Sequence, residues 1–345
     1  MTKRSFAAAF AAACVIVAVA LTPEPVSGQA SGTASKGGGK AAAAPAKTGK
    51  APRTPDGRPD LQGIWDFRTL TPLERPDNLS GKDVLTSEEA GQLEERAAQN
   101  RVDRAPPKGN PGTYNQFWFD FGTRVTPTNR TALIVDPPDG KIPPMTPDGQ
   151  KRAAERAEKM RRPATGPEDR ALYERCILGF NSGPPIIPNG YNNNFELLQR
   201  RDYVVILTEM VHDTRIVPMD GRPHLPSSLR QWSGDSRGRW EGETLVVETT
   251  NFTNKGTGTI SLPVTTDENL HLVERFTLVD ADTLVYEFTI SDPTTWTKPW
   301  TAIVHMKRNP ARIYEYACHE GNYGMEGILK GARSDEKKAA AGGGK

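Results

Sequence analysis

The strongest constraint in this sequence is a two-residue alternation. Leu284, Tyr286, Phe288 and Ile290 fall on one face, and Thr283, Val285, Glu287 and Thr289 on the other. That period marks a half-buried β-strand. Leu245 and Val247 likewise oppose Thr244, Val246 and Glu248. Segments of this kind follow one another after Cys176: 195–200, 203–210, 215–219, a hairpin around 240–243, 270–279 turning at Asp280-Ala-Asp282 into 283–291, and 300–306 turning at Arg308-Asn-Pro310 into 313–318. Antiparallel strands joined by short turns predict a mainly β fold, a meander closing as a barrel or a strongly curved sheet.

The segment before Cys176 is broken by prolines and carries peripheral helices. Thr86 and Glu89 have capping-box spacing, predicting a helix that runs to about Val102. Thr146-Pro147 predicts a second helix ending before Pro163, and a short third is expected over 167–177. The first two are rich in Ala and charge, with only Leu93 and Met160 as larger apolar residues in their interiors, so they belong on a surface. Residues 130–136 read as a strand closed by Pro-Pro-Asp-Gly.

The ends have a different character. Lys3 and Arg4, an apolar run from Phe6 to Leu21, and Gly28-Gln29-Ala30 make residues 1–30 an export signal with cleavage after Ala30. The run is short for a bilayer span of about twenty residues; a retained anchor is the other reading. Residues 31–56 hold no apolar side chain larger than Ala and are expected to be a disordered linker, as is the tail 334–345. A single elaborated domain is expected over 57–333, with a helical, proline-rich insertion at about 71–187. The protein is expected to be secreted or periplasmic, without stable membrane insertion after cleavage.

Charge is informative only by region. The chain has 44 basic and 42 acidic residues, but its ends hold ten of the former and four of the latter. The 34 and 38 left on residues 57–333 give a net charge of about −4. This argues against a nucleic-acid-binding domain, which needs a basic face to displace counterions.

Cleavage leaves two cysteines, Cys176 and Cys318. An oxidising compartment favours a disulfide between them; two buried thiols, or a ligand or nucleophile role, are the other readings. No Cys-x-x-Cys, His-x-His or His-Glu-x-x-His occurs, so neither a metal nor a cofactor is expected. Phosphate-loop, dinucleotide and nucleophile-elbow motifs are absent too.

Gly63-x-Trp65 at the start of a β-rich exported chain resembles the lipocalin (calycin) signature near the first barrel strand, although the long insertion departs from that pattern. The chain is also similar to a group of exported bacterial β-rich proteins without an assigned activity. The shared runs are 54–65, Leu133-Ile-Val-Asp-Pro-Pro-Asp-Gly140, Glu209-Met-Val-His-Asp-x-Arg215, Asp220-Gly-Arg-Pro-His224, Gly234-Asp-Ser-Arg-Gly-Arg-Trp-Glu-Gly242, 292–300 and Tyr316-Ala-Cys-His-Glu-Gly-Asn-Tyr323. The resemblance implies a fold and a compartment but no reaction.

Polar clusters supply the candidate chemistry. His212, Asp213 and Arg215, with Asp220, Arg222 and His224 close behind, could bind or polarise an anionic group; the same run could equally be a hairpin turn capped by its own Asp. His319 and Glu320 follow Cys318, but neighbours on a strand face opposite ways, so Cys318 and His319 are not expected to pair. Trp65, Tyr191, Trp296, Lys298 and Trp300 are the candidate ligand contacts, with Asn192-Asn-Asn194 as polar surface; the tryptophans could instead plug a barrel end. Glu248, Glu287, Glu315 and His305 are expected on the solvent face; facing a lumen instead, such clustered groups could do acid–base work. The leading expectation is an exported barrel binding a small molecule or glycan. The alternatives are an envelope hydrolase or isomerase using His212, Asp213, Arg215, His224, His319 and Glu320, and a structural envelope protein.

Overall fold

The computed structural model describes residues 51–103, 105, 108, 117, 119–255, 266 and 268–342; the expected export signal and most of the expected linker lie outside them. The fold is a ten-stranded antiparallel sheet with three helices. The strands are β1 (Gly63–Asp66), β2 (Ile134–Asp136), β3 (Asn194–Gln199), β4 (Tyr203–Thr208), β5 (Thr214–Pro218), β6 (Asp235–Glu241), β7 (Thr244–Thr250), β8 (His271–Asp280), β9 (Thr283–Ser291) and β10 (Trp300–Asn309). The helices are α1 (Ser87–Asn100), α2 (Pro147–Arg161) and α3 (Tyr323–Gly342).

The strands do not form one simple meander. Their order is β5-β4-β3-β1-β10-β9-β8-β7-β6, with β2 pairing the start of β10. The short N-terminal β1 thus joins two meanders, pairing Trp65 with Phe195 on β3 and with Arg308 on β10. Gly63 adopts φ +123, and a Cβ there would overlap the guanidinium of Arg308. That guanidinium lies 4.4 Å over the Trp65 ring and donates to Gln62 O at 2.7 Å.

Spacing shows how far the sheet curls. Adjacent strands lie about 4.8 Å apart, so six steps from β5 to β8 would span about 29 Å in a flat sheet. Yet Arg215 on β5 and Glu274 on β8 are hydrogen-bonded at 2.5 and 2.9 Å. The edge strands β5 and β6 also lie side by side, with Cα atoms within 8 Å. A Cβ on Gly238 of β6 would overlap Met219 Sδ and lie 2.9 Å from Val217 Cγ1. Among the described residues no ladder joins these edges, so the sheet is not closed by hydrogen bonds. Every step along the path is antiparallel and there are eight of them, so β5 and β6 run in the same direction. Closing the seam would need a parallel ladder, the one pairing this sheet does not use.

Aromatic side chains fill the concave side. Ring contacts run from Phe67 through Phe195, Phe276, Tyr286 and Phe288 to Trp300 and Trp296, with centroids 4.9 to 6.4 Å apart. Leu284, Tyr286, Phe288 and Ile290 are all fully buried, as alternation requires. Each such side chain stabilises the fold by roughly 1.5–3 kcal/mol.

Both expected surface helices form. Thr86 and Glu89 make the reciprocal capping box of α1. Thr146 accepts from Gly149 N at the start of α2 and donates to Thr294 O, tying this helix to the β9–β10 connection. Among the described residues, no helix is long and apolar enough to cross a membrane.

Four local expectations are corrected. The helix over 167–177 is broken into a tight turn at Pro167–Asp169 and separate turns over 171–177, because Arg170 between them has extended backbone (φ −114, ψ 161) and Cys176 adopts φ +54. No strand forms over 313–318. Its would-be partner β10 is flanked by β9 on one side and by β2 and β1 on the other, which leaves no edge. The C-terminal segment is helical up to Gly342, consistent with its Ala, Lys and Glu content. Residues 51–56 are not a free linker: Ala51 packs on the core, Arg53 pairs with Pro59, and its guanidinium meets Glu243 at 2.6 Å.

Candidate functional site

Among the described residues, the turn after β4 is the one place where two consecutive non-glycine residues have positive φ. Val211 has φ +62 and His212 φ +43. Two consecutive left-handed residues, one of them β-branched, cost of order 1–3 kcal/mol each and persist only where the surroundings enforce them. Here Ser182 donates to Met210 O at 3.0 Å, and a Cβ on Gly179 would overlap the Met210 side chain. Asn194 holds Glu209 at 2.8 Å, while Thr208 N donates to Asp213 O at 2.9 Å. The turn swings His212 outward, its Nδ1 3.2 Å from Tyr316 O, and puts Asp213 against Ser233 Oγ at 3.3 Å.

Asp213 faces a cleft of about 540 Å³ at the unlaced seam. Thr214, Arg215 and Ile216 of β5 form one wall, Asp235 and Ser236 of β6 the other, and residues 230–234 the rim. Burial pushes the Asp213 carboxyl above the ordinary aspartate value, partly offset by the Ser233 hydrogen bond and the Arg215 charge. Asp235 takes His224 Nδ1 at 2.8 Å and Leu225 N at 3.0 Å on one oxygen, and Arg237 at 2.8 Å on the other. Trp232 stands half-exposed at the rim, with the Arg175 guanidinium 5.9 Å over its ring.

The cleft opens onto a buried polar chain. Arg215 donates to both oxygens of Glu274, which also accepts from Tyr286 Oη at 2.8 Å. Tyr286 Oη in turn accepts from Ile186 N at 3.0 Å. Burial opposes the Arg215 charge, but the Glu274 carboxylate more than restores it, so its pKa rises. Burial, reinforced by Glu274, keeps the Tyr286 phenol protonated.

The expected site residues separate. Asp213 and Arg215 share the cleft, whereas His212 turns to Tyr316 and His224 reaches the cleft only through Asp235. His319 and Glu320 are exposed and do not line this cleft. Three candidate ligand contacts are corrected: Trp65, Trp296 and Trp300 are fully buried in the core, where Trp65 is covered by Arg308 and the other two meet edge to face. Lys298 is exposed on the connection between them, and Tyr191 packs edge-on against Phe180. The asparagine run is structural. Buried Asn193 donates to Asp120 O and Asn189 O and accepts from Asn181 and Asn189 N. Cys176 and Cys318 form a disulfide. Glu248, bonded to His271 at 2.8 Å, and the half-buried Glu287 and His305 occupy the non-core face; Glu315 is exposed. Among the described residues, no three His, Cys, Asp or Glu side chains are grouped to hold a metal ion.

Sequence reasoning missed Glu274, Tyr286 as a hydrogen-bonding group, and the rim residues Arg230, Trp232 and Ser233. Glu274 carries a signal: it occupies an inward position between Leu272 and Phe276 in a strand whose polar partners face out. The rim residues have no period that would reveal them.

No protein-family model matches the chain, and no curated protein does. Among solved structures, a point mutant of the fluorescent protein UnaG is similar over 41% of this chain and 86% of its own length, at 14% identity and a TM-score of 0.21.

Proposed function

We propose that this is an exported protein that binds a small polar molecule, a neutral glycan in the first instance, in the cleft between β5 and β6. The reading treats the curled sheet as a barrel-like frame whose ligand sits at the unlaced seam. An interior filled by aromatic side chains from Phe67 to Trp300 argues against a lumen. The observation that carries the proposal is the lining. One half-exposed indole, Trp232, which carries Arg175 over one side of its ring, is flanked by the hydrogen-bonding side chains of Asp213, Arg230, Gln231 and Ser233. An aromatic face covers the C–H side of a sugar ring, and fixed polar groups read its hydroxyls.

The test is a calorimetric titration of the chain, disulfide intact, with neutral disaccharides such as chitobiose and cellobiose. Saturable binding that is lost in both Trp232→Ala and Asp213→Ala supports the reading. Binding untouched by both variants, or none with any disaccharide, overturns it.

One observation favours hydrolysis as a second reading. Asp213 is pushed toward its protonated form by burial, and Asp235, paired with Arg237, lines the same cleft. Two carboxyls in contrasting surroundings suit an acid and its partner in glycoside cleavage. Under this reading Asp213→Asn binds chitobiose but releases no monosaccharide, whereas the unaltered chain does.

A further inference from the structure

A second concavity lies beside the disulfide and has a different chemistry. It encloses about 530 Å³ between residues 173–176 and the segment leading into α3. Tyr173, Tyr316 and Tyr323 line it with the carboxylates of Glu174 and Glu315, and among the described residues no lysine, arginine or histidine does. The seam cleft, by contrast, is lined by Arg215 and Arg230.

Two of the tyrosines are exposed and the third is half-buried. Tyr173 is 41% exposed and Tyr323 77%, and both are among the large side chains the fold leaves uncovered. Tyr173 is braced edge-on by Phe180 at 6.0 Å. The Tyr323 ring lies close to Gly321, which adopts φ +64 and where a Cβ would fall 2.7 Å from that ring. The floor is fixed by the Cys176–Cys318 bridge and by Asn322, which donates to Glu174 O at 2.9 Å. His212 meets Tyr316 O from outside the groove. Glu174 accepts from Ala171 N and lies close enough to Arg156 to feel its charge, which leaves exposed Glu315 as the more available anion.

We propose that this groove binds an organic ammonium ion. Ring faces carry negative quadrupole potential and attract a weakly hydrated cation. A carboxylate beside them adds charge complementarity, and the lack of a lining cation removes the competitor. A neutral sugar could only hydrogen-bond to Glu315, without the charge pairing a cation gains, and an anion would be repelled by it.

The probe is choline, titrated by calorimetry into the chain with its disulfide intact, against 3,3-dimethylbutanol as a neutral molecule of the same shape. Choline is expected to bind saturably and the alcohol at least about tenfold more weakly, which is the size of a favourable cation–π contribution. Tyr323→Ala is expected to weaken choline about fivefold or more and Glu315→Gln about threefold. Both positions are exposed, and an unchanged circular dichroism spectrum confirms folding. Trp232→Ala, in the other cleft, should leave choline affinity unaltered, so failure here and failure of the glycan reading are separate results. Equal binding of the alcohol, no saturation by about 50 mM choline, or choline affinity that follows Trp232 instead of Tyr323 and Glu315 would overturn the proposal.

Discussion

Arg215 on one edge of the sheet and Glu274 six strands away form a two-pronged ion pair at 2.5 and 2.9 Å, with Glu274 fully buried. The pair spans the concave side and links strands that a flat sheet would hold about 29 Å apart. It also makes the base of the seam cleft a neutralised guanidinium, so a ligand there meets a hydrogen-bond donor without a full unpaired charge.

Removing one partner strands the other charge. Glu274→Ala or Arg215→Ala is expected to cost about 3–5 kcal/mol, whereas the apolar double change, Glu274→Leu with Arg215→Met, should recover most of it. Chemical denaturation of the three variants checks this. A double variant no more stable than either single would show that the cost does not come from the stranded partner.

Asp213 should oppose stability while serving the site. Its folded-state pKa is raised by burial, so within the shifted window the folded state holds the proton more tightly than the unfolded chain. The cost is therefore absent below the unfolded value near 4 and grows as pH rises through the folded value. Asp213→Asn is expected to raise the melting temperature at pH 7 and to change it little near pH 3, while weakening ligand binding. A melting temperature lowered at pH 7 would contradict this. His305 acts in the other direction: burial lowers its pKa, with Lys307 adding to the shift, so its stabilising contribution is complete above about 6.5 and declines as pH falls.

The strands around β9 and the caps of α1 and α2 were legible because each rests on local chemistry: alternation, a Thr-x-x-Glu box, a Thr-Pro start. The placement of β1 was not, because Gly63 to Asp66 pairs with partners at 194–197 and 307–309 and no short-range pattern encodes that register. Trp296 and Trp300 show the same limit from the other side. A Trp-x-x-x-Trp loop reads as either a ligand platform or a plug, and only their neighbours Phe288 and Thr295 make them core. Asp213 was legible as a polar residue; its cleft was not, since the facing rim comes from residues 230–236.

Arg308 and Gly63 form a second test of long-range packing. Arg308→Ala removes the cation from the Trp65 face and the bonds to Gln62 O and Ala281 O, with an expected loss of about 2–3 kcal/mol. Gly63→Ala should destabilise by about 1–3 kcal/mol, through its φ of +123 and the collision with Arg308. If the two variants combined cost as much as their sum, the collision would not be what links them.

The Cys176–Cys318 bridge closes a loop of 142 residues. The chain-entropy model credits such a closure with about 5 kcal/mol as an upper figure. Reduction is expected to destabilise the fold by about 2–5 kcal/mol and to free the segment before α3, so choline binding should fall with it. Unchanged denaturation midpoints under reductant would contradict the assignment.

Everything proposed for the glycan depends on its seat at the seam between β5 and β6. Hydrogen–deuterium exchange with and without saturating chitobiose reads that seat out along the backbone. Protection is expected at residues 213–216 and 230–236 alone. Protection centred on 296–300, or on the aromatic interior with the seam unchanged, would refute the seam as the binding site.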